Sequence, residues 1–159
     1  MSDNVYLGNP NLKKANTPIE FTEEQIIEFV QCQRDPVYFA NKYVKIVSLD
    51  EGLVSFSPYR FQEKLINNFH ENRFNICKMP RQTGKSTTVV SYLLHYAIFN
   101  DSVNIGILAN KAATARELLG RLQTAYENLP KWMQQGIMVW NKGSLELENG
   151  SKILAASTS

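Results

Sequence analysis

Apolar positions change their period along this chain. Residues 1–21 are polar, rich in Asn, Pro and Lys, and carry no period, which predicts an extended arm. Thr22 followed by Gln25 is a capping-box signature, and Ile26, Ile27, Phe29 and Val30 then form a helical stripe. Asp35-Pro36 opens a second helix, with Asp at the N-cap and Pro at the first helical position. Its apolar set is Val37, Tyr38, Phe39, Tyr43, Val44 and Ile46. Ser57-Pro58 repeats the signal, and a third helix runs through Phe61, Leu65, Ile66 and Phe69.

Beyond residue 73 the pattern shifts. Phe74 to Met79 is a short apolar-rich run bounded by a loop, and it predicts a strand. Pro80 to Gly84 is the loop. Lys85 to Phe99 predicts a helix that is apolar on nearly every face, and such a helix is buried on several sides. Val103 to Ala109 reads as a second strand. Ala112 to Asn128 reads as an amphipathic helix that Pro130 stops. Ile137–Trp140, Leu145–Glu148 and Lys152–Ala156 read as strands, the last two flanking Asn149-Gly150, a strong hairpin-turn signal. Strand, loop, helix, strand, helix in succession predicts βαβ units and a parallel sheet flanked by helices. The expected organisation is α/β, with an arm and helical lead-in over 1–57 and a main domain over 58–159. The chain stops at Ser157-Thr158-Ser159 with no capping element, so it reads as cut rather than finished.

Composition adds exclusions. The 159 residues are 43% apolar and 20% charged, an ordinary globular balance. No apolar run nears the roughly 18 residues of a membrane span, so no membrane partner is expected. The N-terminus lacks a signal-peptide layout, which predicts a protein that stays in the cytoplasm of the cell that makes it. A formal net charge of +2 does not argue for nucleic acid. Cys32 and Cys77 have no metal or disulfide spacing and read as buried thiols, and His70 and His95 read as isolated helix residues.

The segment that carries chemistry is Gly84-Lys85-Ser86, placed between a predicted strand and the start of a helix. Unpaired N–H groups at a helix N-terminus point at an anion. Glycine lets the backbone approach phosphates closely, lysine brings a positive charge to them, and the serine hydroxyl can ligate Mg²⁺. The tripeptide alone is weak, and Met79 stands where the usual first glycine would be. The strand before it and the buried helix after it supply the context that the motif needs. Arg81, two residues past the predicted strand, is either an arginine finger in cis or a solvated loop residue.

These residues resemble a family. Tyr59 through Ser157 resembles the ATPase domain of terminase large subunits, particularly those of T-even-type myoviruses. Arg81-Gln82-Thr83-Gly84-Lys85-Ser86-Thr87 is similar to that family's deviant Walker A. Phe61-Gln62 is similar to an aromatic–glutamine adenine-recognition element, and Trp140 to Ser151 to a hairpin segment of these proteins. The resemblance implies a RecA-like P-loop NTPase with a parallel sheet, and ATP hydrolysis coupled to pumping double-stranded DNA into a prohead. By position it implies Lys85 and Arg81 as catalytic and Ser86 as the Mg²⁺ ligand. It implies Phe61, Gln62, Arg81, Gln82, Thr83, Gly84, Lys85, Ser86 and Thr87 as the ATP-binding set, with Gln62 reading the adenine edge. The implied partners are double-stranded DNA, the portal protein and the terminase small subunit, with copies forming a ring on the portal in the host cytoplasm. The Walker B aspartate and catalytic glutamate are expected beyond Ser159. Were hydrolysis complete without them, Glu146 and Glu148 would be the candidate acids. Lys111, Arg116 and Arg121 are candidate DNA contacts, but steps of five residues turn about 140° on a helix, so they do not form one stripe. A superfamily 2 helicase and a non-catalytic nucleotide-binding assembly module are the rival readings.

Overall fold

In the computed structural model the described residues are 4–159. The expected arm is a hairpin rather than a free extension, its first three positions lying outside the described residues. Strands β1 (Val5–Tyr6) and β2 (Asn9–Lys13) pair antiparallel across Leu7 and Gly8, both at positive φ. Leu12 is buried, and Lys14 bridges in parallel to Ile137 on the far side of the chain. Gln134 holds the arm: its Oε1 accepts from Lys13 N at 3.1 Å and its Nε2 donates to Asn11 O at 3.0 Å. One buried leucine gives no period, so these long-range bonds left no mark in the pattern.

Helices α1 (Glu23–Arg34) and α2 (Pro36–Tyr43) begin where their caps predict. Thr22 Oγ1 accepts from Gln25 N, and Gln25 Oε1 accepts from Thr22 N. Asp35 Oδ1 accepts from both Val37 N and Tyr38 N at 3.0 Å. The helical lead-in is then interrupted by a second hairpin, β3 (Lys45–Ser48) and β4 (Gly52–Ser55). Val44 and Ile46, assigned above to a helix, belong to this extended stretch. β-branched residues favour it, and Gly52 at φ 74° completes the turn. Helix α3 (Arg60–Glu71) starts later than Ser57-Pro58 suggests, after an extended Tyr59.

The strand expected over Phe74–Met79 does not form. Phe74 is 82% and Ile76 100% exposed, and the segment runs irregularly from α3 to the loop. A strand needs a hydrogen-bonding neighbour, and among the described residues none lies beside it. A cleft of about 690 Å³ separates it from the next strand, with Arg73, Asn75 and Cys77 on one wall and Ile105, Tyr92 and Leu93 on the other.

Helix α4 (Lys85–Phe99) leads to β5 (Asn104–Ala109), α5 (Ala112–Glu127), β6 (Ile137–Trp140), β7 (Ser144–Leu147) and β8 (Lys152–Ser157). The four strands form one sheet in the order β5-β8-β7-β6. This corrects the expected parallel sheet: the fold is α/β with a mixed sheet, in which only β5 and β8 run parallel. Two short turns impose the antiparallel part. Asn141 Oδ1 accepts from Gly143 N and Ser144 N in the first. Asn149-Gly150 makes the second, with Gly150 at φ 85°, where an added Cβ would lie 2.8 Å from Ser102 Oγ. α5 buries Ala115, Leu119 and Leu122 and packs on β5 and β8. α4 packs against α5, α3 and α2 and buries Val90, Leu94, Ala97 and Ile98, as its all-round apolar sequence requires.

Candidate phosphate-binding site

The loop Arg81–Gly84 sits at the N-terminus of α4, and its backbone is shaped for a turn toward that helix. Gln82 (φ 62°) and Gly84 (φ 71°) both take left-handed conformations, with Gly84 as the N-cap. Glycine adopts this at no steric cost. A Cβ at Gly84 would also lie 2.4 Å from Gln62 Nε2. Thr83 Oγ1 donates to Pro80 O at 3.0 Å, which closes the loop on itself. Thr88 Oγ1 donates to Gly84 O at 2.8 Å, beside the first helical N–H.

The start of α4 differs electrostatically from those of α1 and α2. α1 has a side-chain cap and Glu23 and Glu24 in its first turn, and α2 has Asp35. α4 has no side-chain cap and no acidic residue there, while Lys85 adds a cation. Partial positive charge from the unpaired N–H groups is thus left uncompensated. Lys85, Ser86 and Thr87 are half-buried, and among the described residues the Ser86 hydroxyl makes no protein hydrogen bond. Arg81 is exposed and forms no ion pair among the described residues.

Gln62 is brought against this loop. It is 4% exposed; its Oε1 accepts from Tyr59 N at 2.8 Å and its Nε2 donates to Thr83 O at 3.1 Å. Phe61 points outward and stacks on Tyr59, with ring centroids 6.0 Å apart and planes 11° from parallel. Both rings are exposed. Tyr59 was not singled out in the sequence, although an aromatic two positions before Phe61 was a visible signal.

Two long-range contacts fix α4 behind the loop. At its far end Asn149 Nδ2 donates to Ala97 O at 2.9 Å and Asn100 O at 3.2 Å, while Ser151 Oγ donates to Asn100 O at 2.8 Å. In its middle, His95 Nε2 lies 2.8 Å from Cys32 O. A carbonyl only accepts, so Nε2 carries the hydrogen. Burial lowers the His95 pKa to about 4, against the opposing effect of that bond. The histidines are not isolated, since the rings of His70 and His95 lie 6.0 Å apart. Cys32 is buried, its thiol pushed up to about 12 by burial, whereas Cys77 is only half-buried at the cleft.

Both candidate acids and Arg121 are engaged elsewhere. Glu148 accepts from Asn16 N at 2.7 Å and Gly136 N at 3.1 Å and lies 3.9 Å from Lys13 Nζ. Glu146 pairs with Lys152 at 3.8 Å. Lys111, Arg116 and Arg121 are exposed, and Arg121 pairs with Glu117 at 2.8 Å. Among the described residues no group of three His, Cys, Asp or Glu could hold a metal, and no helix is long and apolar enough to cross a membrane.

Residues 76–159, more than half of the chain, match the family model of the terminase large subunit, T4likevirus-type, N-terminal. The chain belongs to this family. The match takes in the loop, α4, the whole mixed sheet and the Asn149-Gly150 turn. Phe61 and Gln62 lie N-terminal to the matched span, so their place at the site rests on geometry: a terminase loop of this chain is backed by a glutamine from α3.

Proposed function

We propose that this chain supplies the ATP- and Mg²⁺-binding part of a packaging ATPase, the motor that moves double-stranded DNA into a prohead. The observation that carries the reading is the left-handed Gly84 cap opening an uncapped helix whose first residue is Lys85, inside the span that matches the terminase family. In this reading the loop amides and Lys85 hold the phosphates, and Gln82, Thr83 and Thr87 shape the loop around them. The Ser86 hydroxyl would hold Mg²⁺, which supplies charge neutralisation at the phosphates when bound. Arg81, exposed and without an ion pair among the described residues, is the candidate finger. Phe61 and Tyr59 offer the base a stacking face. The finer architecture, a RecA-like P-loop fold, belongs to the same proposal. Portal protein, small subunit and a ring of copies are the partners that the reading carries.

Photolabelling with 8-azido-ATP tests the site. Label in peptides covering 59–61 or 81–87, lost in excess unmodified ATP, is the expected result. Competed label concentrated elsewhere in the chain would overturn the assignment.

A further inference from the structure

Gln62 touches the loop in a way that its place in a base-reading element does not require. Its side-chain amide makes two protein hydrogen bonds at once. The oxygen takes the N–H of Tyr59, the residue before α3, and the nitrogen donates to the carbonyl of Thr83, the residue before Gly84. A glutamine amide offers one carbonyl oxygen and two N–H donors, so one donor is left, on a residue that is 4% exposed. The same Nε2 occupies the space that a Cβ on Gly84 would enter. The Thr83 carbonyl is held from one side and the Thr83 hydroxyl, on Pro80 O, from the other. Thr83 lies between Gln82 and Gly84, both left-handed.

We propose that Gln62 is a positioning residue for the phosphate loop. It ties the Thr83 carbonyl to the start of α3 and so sets the loop for any polyphosphate, whatever base is attached. The same tie places the Tyr59–Phe61 stack at a fixed offset from the loop. The inference rests on the phosphate-site reading above and goes further by separating phosphate positioning from base recognition.

The test is calorimetric binding of ATP, GTP and base-free tripolyphosphate, each with Mg²⁺, to the wild-type chain and to Gln62→Ala, Gln62→Glu and Lys85→Ala. Losing one organising hydrogen bond should weaken all three ligands by about tenfold in Gln62→Ala, and by equal factors within about twofold. Gln62→Glu keeps the acceptor for Tyr59 N but has no donor for Thr83 O, so it should lose tripolyphosphate affinity too. This variant keeps the inference testable if Gln62→Ala fails to fold. Loss confined to ATP would overturn the proposal and make Gln62 a base reader. A lower melting temperature with unchanged affinity for all three would overturn it as well, leaving a purely structural glutamine. Unchanged binding in Lys85→Ala would instead bring down the phosphate-site reading itself, and that outcome is distinct from the other two.

Discussion

The Glu148 carboxylate accepts the backbone N–H of Asn16 at 2.7 Å, across 132 residues of sequence. Its other oxygen accepts from Gly136 N, and Lys13 Nζ stands 3.9 Å away. One side chain at the end of β7 thus fastens the N-terminal arm to the sheet. Glu148→Ala should destabilise the chain by about 1.5–3 kcal/mol, the range for hydrogen bonds to a charged group. Hydrogen exchange at residues 11–16 should accelerate, while nucleotide affinity stays as it was. Unaltered exchange in the arm would show that Gln134 alone holds it.

Asp35 caps α2 by accepting two backbone hydrogen bonds at a single oxygen. Asp35→Ala should cost about 1–2 kcal/mol in chemical unfolding. Asp35→Asn keeps the acceptor and should recover most of that loss. Equal losses for Ala and Asn would assign the effect to charge rather than to the cap.

Parts of this architecture were legible locally and parts were not. The starts of α1 and α2 follow from Thr22 and Gln25 and from Asp35-Pro36, because a cap is a contact within a few residues, while α4 begins at the Gly84-Lys85 motif without a side-chain cap. The Asn149-Gly150 turn was visible for the same reason, though not that Asn149 also ends α4. The β3–β4 hairpin was hidden because Val44 and Ile46 continue the apolar spacing of α2. Phe74–Met79 has a strand's composition, but strand formation depends on a neighbour that composition does not encode. The mixed order of the sheet follows from which strands meet, and β5 finds β8 across the whole β6–β7 excursion. At the site, the loop was readable as a motif. Its bond from Gln62 was not, since it depends on where α3 packs.

His95 makes stability depend on pH. Its folded pKa is depressed to about 4 from an ordinary 6.5, first by burial and further by the neighbouring His70, against the bond to the Cys32 carbonyl. As pH falls below 6.5 the unfolded chain takes up this proton first, and the folded chain resists until about 4. The contribution is therefore complete above 6.5 and lost on acidification between the two values. Its full size is about 3 kcal/mol, from the pKa difference at 1.36 kcal/mol per unit. Urea unfolding of wild type and His95→Gln at pH 7.5 and pH 4.5 checks this: the wild type should lose more stability between them. Parallel losses would remove His95 as the source.

Gly84→Ala combines two penalties, a left-handed φ of 71° and a Cβ placed 2.4 Å from Gln62 Nε2. Left-handed strain alone is worth about 1–2 kcal/mol. Because the Gln62 amide can swing away, the second penalty should appear mainly as a displaced loop. Gly84→Ala should lower both the melting temperature and polyphosphate affinity. Combining it with Gln62→Ala should give less than the sum of the two separate losses. Strict additivity would mean that the two residues do not act on one another.

α4 opens on a candidate phosphate site with Lys85 as its cation. Isothermal titration of the wild-type chain with ATP and Mg²⁺, repeated on Lys85→Ala and Lys85→Arg, tests it most directly. The wild type should show saturable single-site binding. Lys85→Ala should lose at least about tenfold in affinity while melting within a few degrees of the parent, because a charge-assisted contact is lost without any core packing. Lys85→Arg should fall between the two. Wild-type affinity retained in Lys85→Ala, or no binding by a folded wild-type chain, would contradict the claim.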